Sequence, residues 1–140
     1  MFDQRDDPRR RWRVALVAHD AKKAALAGFA QRHREQLSGW ELVATAATGE
    51  VLREATHLRI RLVLSGPRGG DLQLGAEIAS GEIDALIFLR DPLTAQPHEP
   101  DLTALLRVAD IHNVAVATNL ASAECLVRAL LPSGVLAVAR

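Results

Sequence analysis

Tyrosine is absent from the 140 residues, aromatics make up 4%, and there is one cysteine, Cys125. No tyrosine can act as an acid, the core must be aliphatic, and an internal disulfide is excluded. A lone cysteine fits a reducing, cytoplasmic compartment. Excess charge of either sign is also absent, because 17 Lys and Arg balance 17 Asp and Glu. Non-specific nucleic-acid binding depends on surplus positive charge, so no nucleic-acid partner is expected. No apolar run can span a bilayer, and no apolar segment follows the charges of MFDQRDDPRRRWR, so neither a membrane nor a secretory signal is expected. There is no Cys-x-x-Cys or His-x-x-x-His pair, no Walker A lysine and no G-x-G-x-x-G, so no metal or nucleotide cofactor is expected.

The length and the 49% hydrophobic content point to one globular domain. Residues 1–13 form their own composition zone, with Arg5, Arg9, Arg10, Arg11 and Arg13 among Asp3, Asp6 and Asp7. They are expected to be a flexible charged lead-in to a domain over 14–140. From Val14 onward, continuous aliphatic runs recur at 14–18, 42–45, 61–64, 83–89 and 114–118. Unbroken runs of this kind mark strands buried on both faces. Between them, helical spacing appears over 21–37, 49–57, 72–80, 101–112 and 120–131, with Asp20, Thr48, Asp71, Asp101 and Asn119 as capping types. Five β-α units require right-handed crossovers. The fold class expected is therefore α/β, a single-domain three-layer αβα with a five-stranded parallel sheet of flavodoxin-like shape. The apolar tail 132–140 is expected to add a short strand or pack on a neighbour. Cys125 is expected to be a small buried hydrophobe, and His33, His57 and His112 surface residues.

In such sheets ligands bind beyond the carboxyl ends of the strands. The segments that follow the five runs carry His19, Asp20 and Lys23; Thr45, Thr48 and Gly49; Ser65 through Asp71; Asp91, His98 and Asp101; and Thr118 with Asn119. The amino-terminal ends carry no comparable set. Thr45-Ala46-Ala47-Thr48-Gly49 runs from a strand into a helix start, where free N–H groups favour phosphate. Ser65-Gly66 opens a glycine-rich loop that a ligand can approach closely, and Lys23 adds a point charge. The acid–base candidates are Asp71, Asp91, Asp101, His19 and His98. From the residues alone this is a phospho-ligand protein of open chemistry.

The stretches ALVAHDAKK (15–23), ATAATG (44–49), SGPRGGDLQ (65–73) and DPLTAQPHEPD (91–101) resemble the methylglyoxal synthase family. The resemblance runs from Val14 to about Leu131. It implies a methylglyoxal-synthase-like domain, a homohexamer, and a glycolytic-bypass lyase that takes dihydroxyacetone phosphate to methylglyoxal and inorganic phosphate without a cofactor. It implies Asp71 as catalytic base, with His98, Asp101 and Asp91 in the catalytic set. His19 and His98 would contact substrate, and Lys23, Thr45, Ala46, Ala47, Thr48, Ser65 and Gly66 its phosphate. Asp101 would orient the His98 imidazole. Inorganic phosphate is expected as product and allosteric inhibitor. Ala46 and Ala47 stand where the family commonly has glycine and threonine, which implies weaker phosphate affinity. The alternative is a non-catalytic regulatory phospho-ligand module of the same fold.

Overall fold

The computed structural model describes residues 10–130. Five strands form: β1 (Arg13–Ala18), β2 (Glu41–Thr45), β3 (Ile60–Val63), β4 (Ala85–Leu89) and β5 (Ala115–Ala117). They pair in parallel in the order β3-β2-β1-β4-β5. The helices are α1 (Lys23–Arg32), α2 (Arg34–Leu37), α3 (Ala46–Thr56), α4 (Gly70–Ala79), α5 (Glu99–Ile111) and α6 (Leu120–Ala129).

Side chains alternate across a strand, so β1 feeds two cores. Val14, Leu16 and Ala18 pack with Leu26 and Phe29 of α1, Leu52 of α3, and Ala123 and Val127 of α6. Ala15 and Val17 pack with Leu74 and Ile78 of α4 and with Leu102, Leu105 and Ala109 of α5. The helical members recur three or four apart, the spacing of one helix face. The expected three-layer αβα arrangement holds. The chain leaves β1 toward one face and β4 toward the other, and the crevice between these adjacent strands is the topological switch point.

Local expectations shift in several places. The stretch 21–37 is split at His33, whose φ of −111° and ψ of 21° leave the helical region. Of the expected helix caps, only Asn119 accepts a first-turn N–H, from Ser122 at 2.9 Å. Thr48, Asp71 and Asp101 lie inside first turns instead, because β2 passes into α3 at Thr45 without a spacer, and Gly69 and His98 precede α4 and α5. Cys125 is exposed rather than buried. It lies midway between the inward-facing Ala123 and Val127 and so points away from the sheet. His57 and His112 are exposed as expected, but His33 is half-buried against Phe29 and bonds Glu124 at 2.7 Å.

The lead-in ends earlier than expected. Trp12 is only 1% exposed, and burying a large apolar side chain contributes roughly 2–3 kcal/mol, enough to anchor a charged segment. Its carbonyl accepts the Glu41 N–H at 2.8 Å, extending the β1–β2 pairing. Arg10 grips the buried Asp84 carboxylate with both terminal nitrogens, and the Arg13 N–H donates to the same group at 2.9 Å. The rest of that zone, residues 1–9, and the tail 132–140 lie outside the described residues. Among the described residues no helix is long and apolar enough to cross a membrane.

Candidate active site

A cavity of about 220 Å³ opens at the carboxyl ends of β1, β2 and β4. It gathers His19, Lys23, Thr45, Ala47, Thr48, Ser65, Gly66, Asp71 and His98, nine of the expected site residues. Among the described residues, seven buried side-chain polar atoms lack a hydrogen-bond partner. Four of these belong to this cavity: both Asp71 carboxylate oxygens, His19 Nε2 and His98 Nδ1. Buried polar groups are normally paired, so this concentration marks a place built for a ligand.

Asp71 is the centre of the arrangement. It is the second residue of α4, and its side chain is fully buried. The burial comes from how closely α4 begins against the end of β3. A Cβ on Gly70 would lie 1.9 Å from the Leu64 carbonyl oxygen, so only glycine lets the helix seat there. Loss of water pushes the Asp71 pKa up. His98 opposes that shift, and Asp101 adds to it. The His98 Nε2 is 3.9 Å from Asp71 Oδ2, an ionic separation rather than a hydrogen bond.

Two imidazoles share the cavity with the carboxylate, with ring centroids 6.2 Å apart and planes at 86°. His19 Nδ1 accepts the Asp91 N–H at 2.9 Å. Neutral His19 therefore carries its proton on Nε2, the unpartnered nitrogen. Burial, then His98, lower the His19 pKa, which favours that neutral donor form. Phe88 packs edge-on at 5.2 Å and holds the ring from below. His98 precedes α5 and lies over Gly66, where a Cβ would sit 2.7 Å from its Nε2. The glycine makes room for the ring.

The anion side is built on α3. Thr45 is extended, with φ −64° and ψ 149°, and α3 starts at Ala46, so the first N–H groups of that helix open at the cavity. Lys23 Nζ is held by the Ala18 carbonyl at 3.1 Å and by Asp20 at 2.5 Å. The Thr48 hydroxyl is tied to the backbone of Ala18 and accepts from the Thr45 hydroxyl at 3.3 Å. It thus fastens α3 to β1 as well as facing the site.

Three expected residues do not line the cavity: Ala46, Asp91 and Asp101. The Asp91 carboxylate turns back on its own loop, bonding the Thr94 side chain and the Leu93 N–H, and these bonds hold its pKa down. Its contribution to the site is the backbone amide on His19. Asp101 does not orient His98 as expected, since His98 Nδ1 has no hydrogen-bond partner among the described residues. Asp101 sits in the first turn of α5, where its charge acts on Asp71 through space. Sequence reasoning missed Gln96, Pro67 and Phe88. Gln96 stands two residues before His98, but nothing in an irregular loop signals which side chain turns inward.

The MGS-like domain family model matches residues 25–118. The chain belongs to the methylglyoxal synthase family. It is 58% identical over 118 residues to the methylglyoxal synthase of Carboxydothermus hydrogenoformans, covering 84% of this chain and 98% of that protein. It is 55% identical over 118 residues to the enzyme of Cupriavidus pinatubonensis, covering 84% and 91%. The crystal structure of methylglyoxal synthase from Elizabethkingia anophelis superimposes with a TM-score of 0.79 at 41% identity, over 84% of this chain and 77% of that one. Membership in the family makes this chain an enzyme, and the resemblance read from its central motifs stands.

Proposed function

We propose that the chain is a lyase that converts dihydroxyacetone phosphate to methylglyoxal and inorganic phosphate. The observation that carries this reading is a fully buried carboxylate, Asp71, with no hydrogen-bond partner among the described residues, beside an anion cradle. A module that only binds a phosphate ester has no need of a desolvated base.

Asp71 removes a proton from the hydroxymethyl carbon of the substrate. The C–H electrons form the enediolate, and the developing oxyanion takes hydrogen bonds from His19 Nε2 and from His98. His98 then moves a proton between the two oxygens. The C–O bond to phosphate breaks as the π electrons shift, leaving enol and phosphate, and the enol tautomerises to methylglyoxal. Lys23, the α3 N–H groups, Thr45, Ser65 and Gly66 hold the phosphate so that this bond lies parallel to the π orbitals. They also stabilise the departing dianion.

By the same resemblance, the working form is a cytoplasmic homohexamer inhibited by inorganic phosphate. The deciding experiment incubates purified protein with dihydroxyacetone phosphate and measures dicarbonyl and free phosphate together. Equal release of both is expected. Isomerisation to glyceraldehyde phosphate, or no turnover, would overturn the reading.

A further inference from the structure

A larger cavity, about 420 Å³, lies at the opposite edge of the sheet, where β1, β2 and β3 begin. Arg11, Arg34, Arg59 and Arg61 line it, together with His57 and Trp40, so the amino-terminal ends of the strands do carry a polar set, contrary to the expectation from sequence. Among the described residues, Glu41 is the one carboxylate in its wall. Four guanidinium groups around one hollow are conspicuous in a chain of zero net charge. Mutual repulsion of gathered cations costs stability unless an anion meets them.

The pairing of these arginines sharpens the point. Arg61 is neutralised by Glu77. Arg11 instead donates to the carbonyls of Gly39, Ser38 and Trp40 at 2.9–3.0 Å, and Arg34 donates Nε to the Thr56 carbonyl at 2.6 Å. Those bonds fix the two side chains without cancelling their charge. Among the described residues, no carboxylate forms an ion pair with Arg11, Arg34 or Arg59. The turn carrying Arg59 pivots on His57, a non-glycine residue held at φ 58°, ψ 21°. The indole Nε1 of Trp40 in the same wall is buried without a partner among the described residues.

We propose that this cavity is a second anion site, separate from the catalytic one, for a small polyanion bearing two or more phosphate groups. Guanidinium forks match phosphate oxygens in pairs, and anchored arginines lose little entropy on binding. Their spread over several chain segments suits a ligand with more than one anionic centre.

Pyrophosphate is the probe, measured by titration calorimetry. The Lys23→Ala variant weakens the catalytic cradle and isolates the second site. One equivalent per chain is expected to bind it, with affinity falling as salt is added. Introducing Arg59→Glu in that background should weaken binding about tenfold or more, since it removes a charged hydrogen-bonding group. The Arg59 side chain is exposed and forms no hydrogen bond or ion pair among the described residues, so the fold should tolerate the change. Arg34→Gln should also weaken binding. Unchanged affinity in Arg59→Glu, or no pyrophosphate binding by Lys23→Ala, would overturn the proposal. The readout is binding, so it stands apart from any failure of the lyase reading.

Discussion

The Asp91 backbone N–H donates to His19 Nδ1 at 2.9 Å, joining the loop after β4 to the end of β1. The bond selects the imidazole tautomer with its proton on Nε2, directed at the cavity. His19→Asn keeps an acceptor near the Nδ1 position and removes the Nε2 donor. Slow hydrogen exchange at the Asp91 amide should persist in His19→Asn and be lost in His19→Ala. Turnover should fall about 10²-fold in both. Wild-type turnover in the asparagine variant would show that His19 donates nothing to the reaction.

Asp71 carries a cost that can be measured. Burial raises its folded pKa above the ordinary 3.8. Ionised Asp71 therefore destabilises the folded chain at neutral pH, and this penalty shrinks as pH falls through the folded pKa toward 3.8. Asp71→Asn should melt higher than wild type at pH 7, with the gap closing below pH of about 4. The same variant should lose about 10³-fold or more in kcat with little change in KM. In the wild-type chain, the acid limb of kcat/KM should lie above the usual carboxylate range. A variant that is active, or no more stable at pH 7, would remove Asp71 as the desolvated base.

Gly66→Ala tests the seat of His98. The added Cβ would fall 2.7 Å from His98 Nε2, so the ring must move. The expected result is a drop of about 10²-fold in kcat, with the melting temperature within a few degrees of wild type. Unimpaired kcat would mean that the ring position is not critical.

Lys23→Ala should act mainly on the phosphate end. KM for the triose phosphate and the inhibition constant for inorganic phosphate should both rise, by about tenfold or more, the worth of one charged hydrogen bond. If phosphate inhibition is untouched, the anion cradle lies elsewhere.

Asp84→Ala probes the opposite edge of the sheet. It removes the buried carboxylate that Arg10 and the Arg13 N–H share, and should cost about 3 kcal/mol in denaturant unfolding. A loss below about 0.5 kcal/mol would assign the anchoring of residues 10–13 to Trp12 alone.

The legible parts of the sequence were those governed by neighbours along the chain. VALVA at 14–18 and IDALIFL at 83–89 are strand runs wherever they pack, and Leu102, Leu105 and Ala109 share a helix face by spacing alone. Trp12 and Asp84 were not legible, since an indole inside an arginine-rich stretch reads as solvated until the strand edge that covers it is known. Nor was Cys125, whose burial depended on a helix phase that the short apolar run left open.

By itself the sequence determined a parallel sheet with its acid–base and phosphate-binding candidates at the carboxyl edge, because hydrophobic period and chain direction are local properties. Apart from the family resemblance, its local signals could not rank Asp71, Asp91 and Asp101, three aspartates in similar loop-to-helix settings. Tertiary packing separated them. Gly70 let α4 press against the end of β3 and strip water from Asp71, the Asp91 carboxylate found partners in its own loop, and Asp101 stayed partly solvated. Desolvation and pairing are set by atoms distant in sequence, and for that reason only the fold could choose among chemically identical side chains.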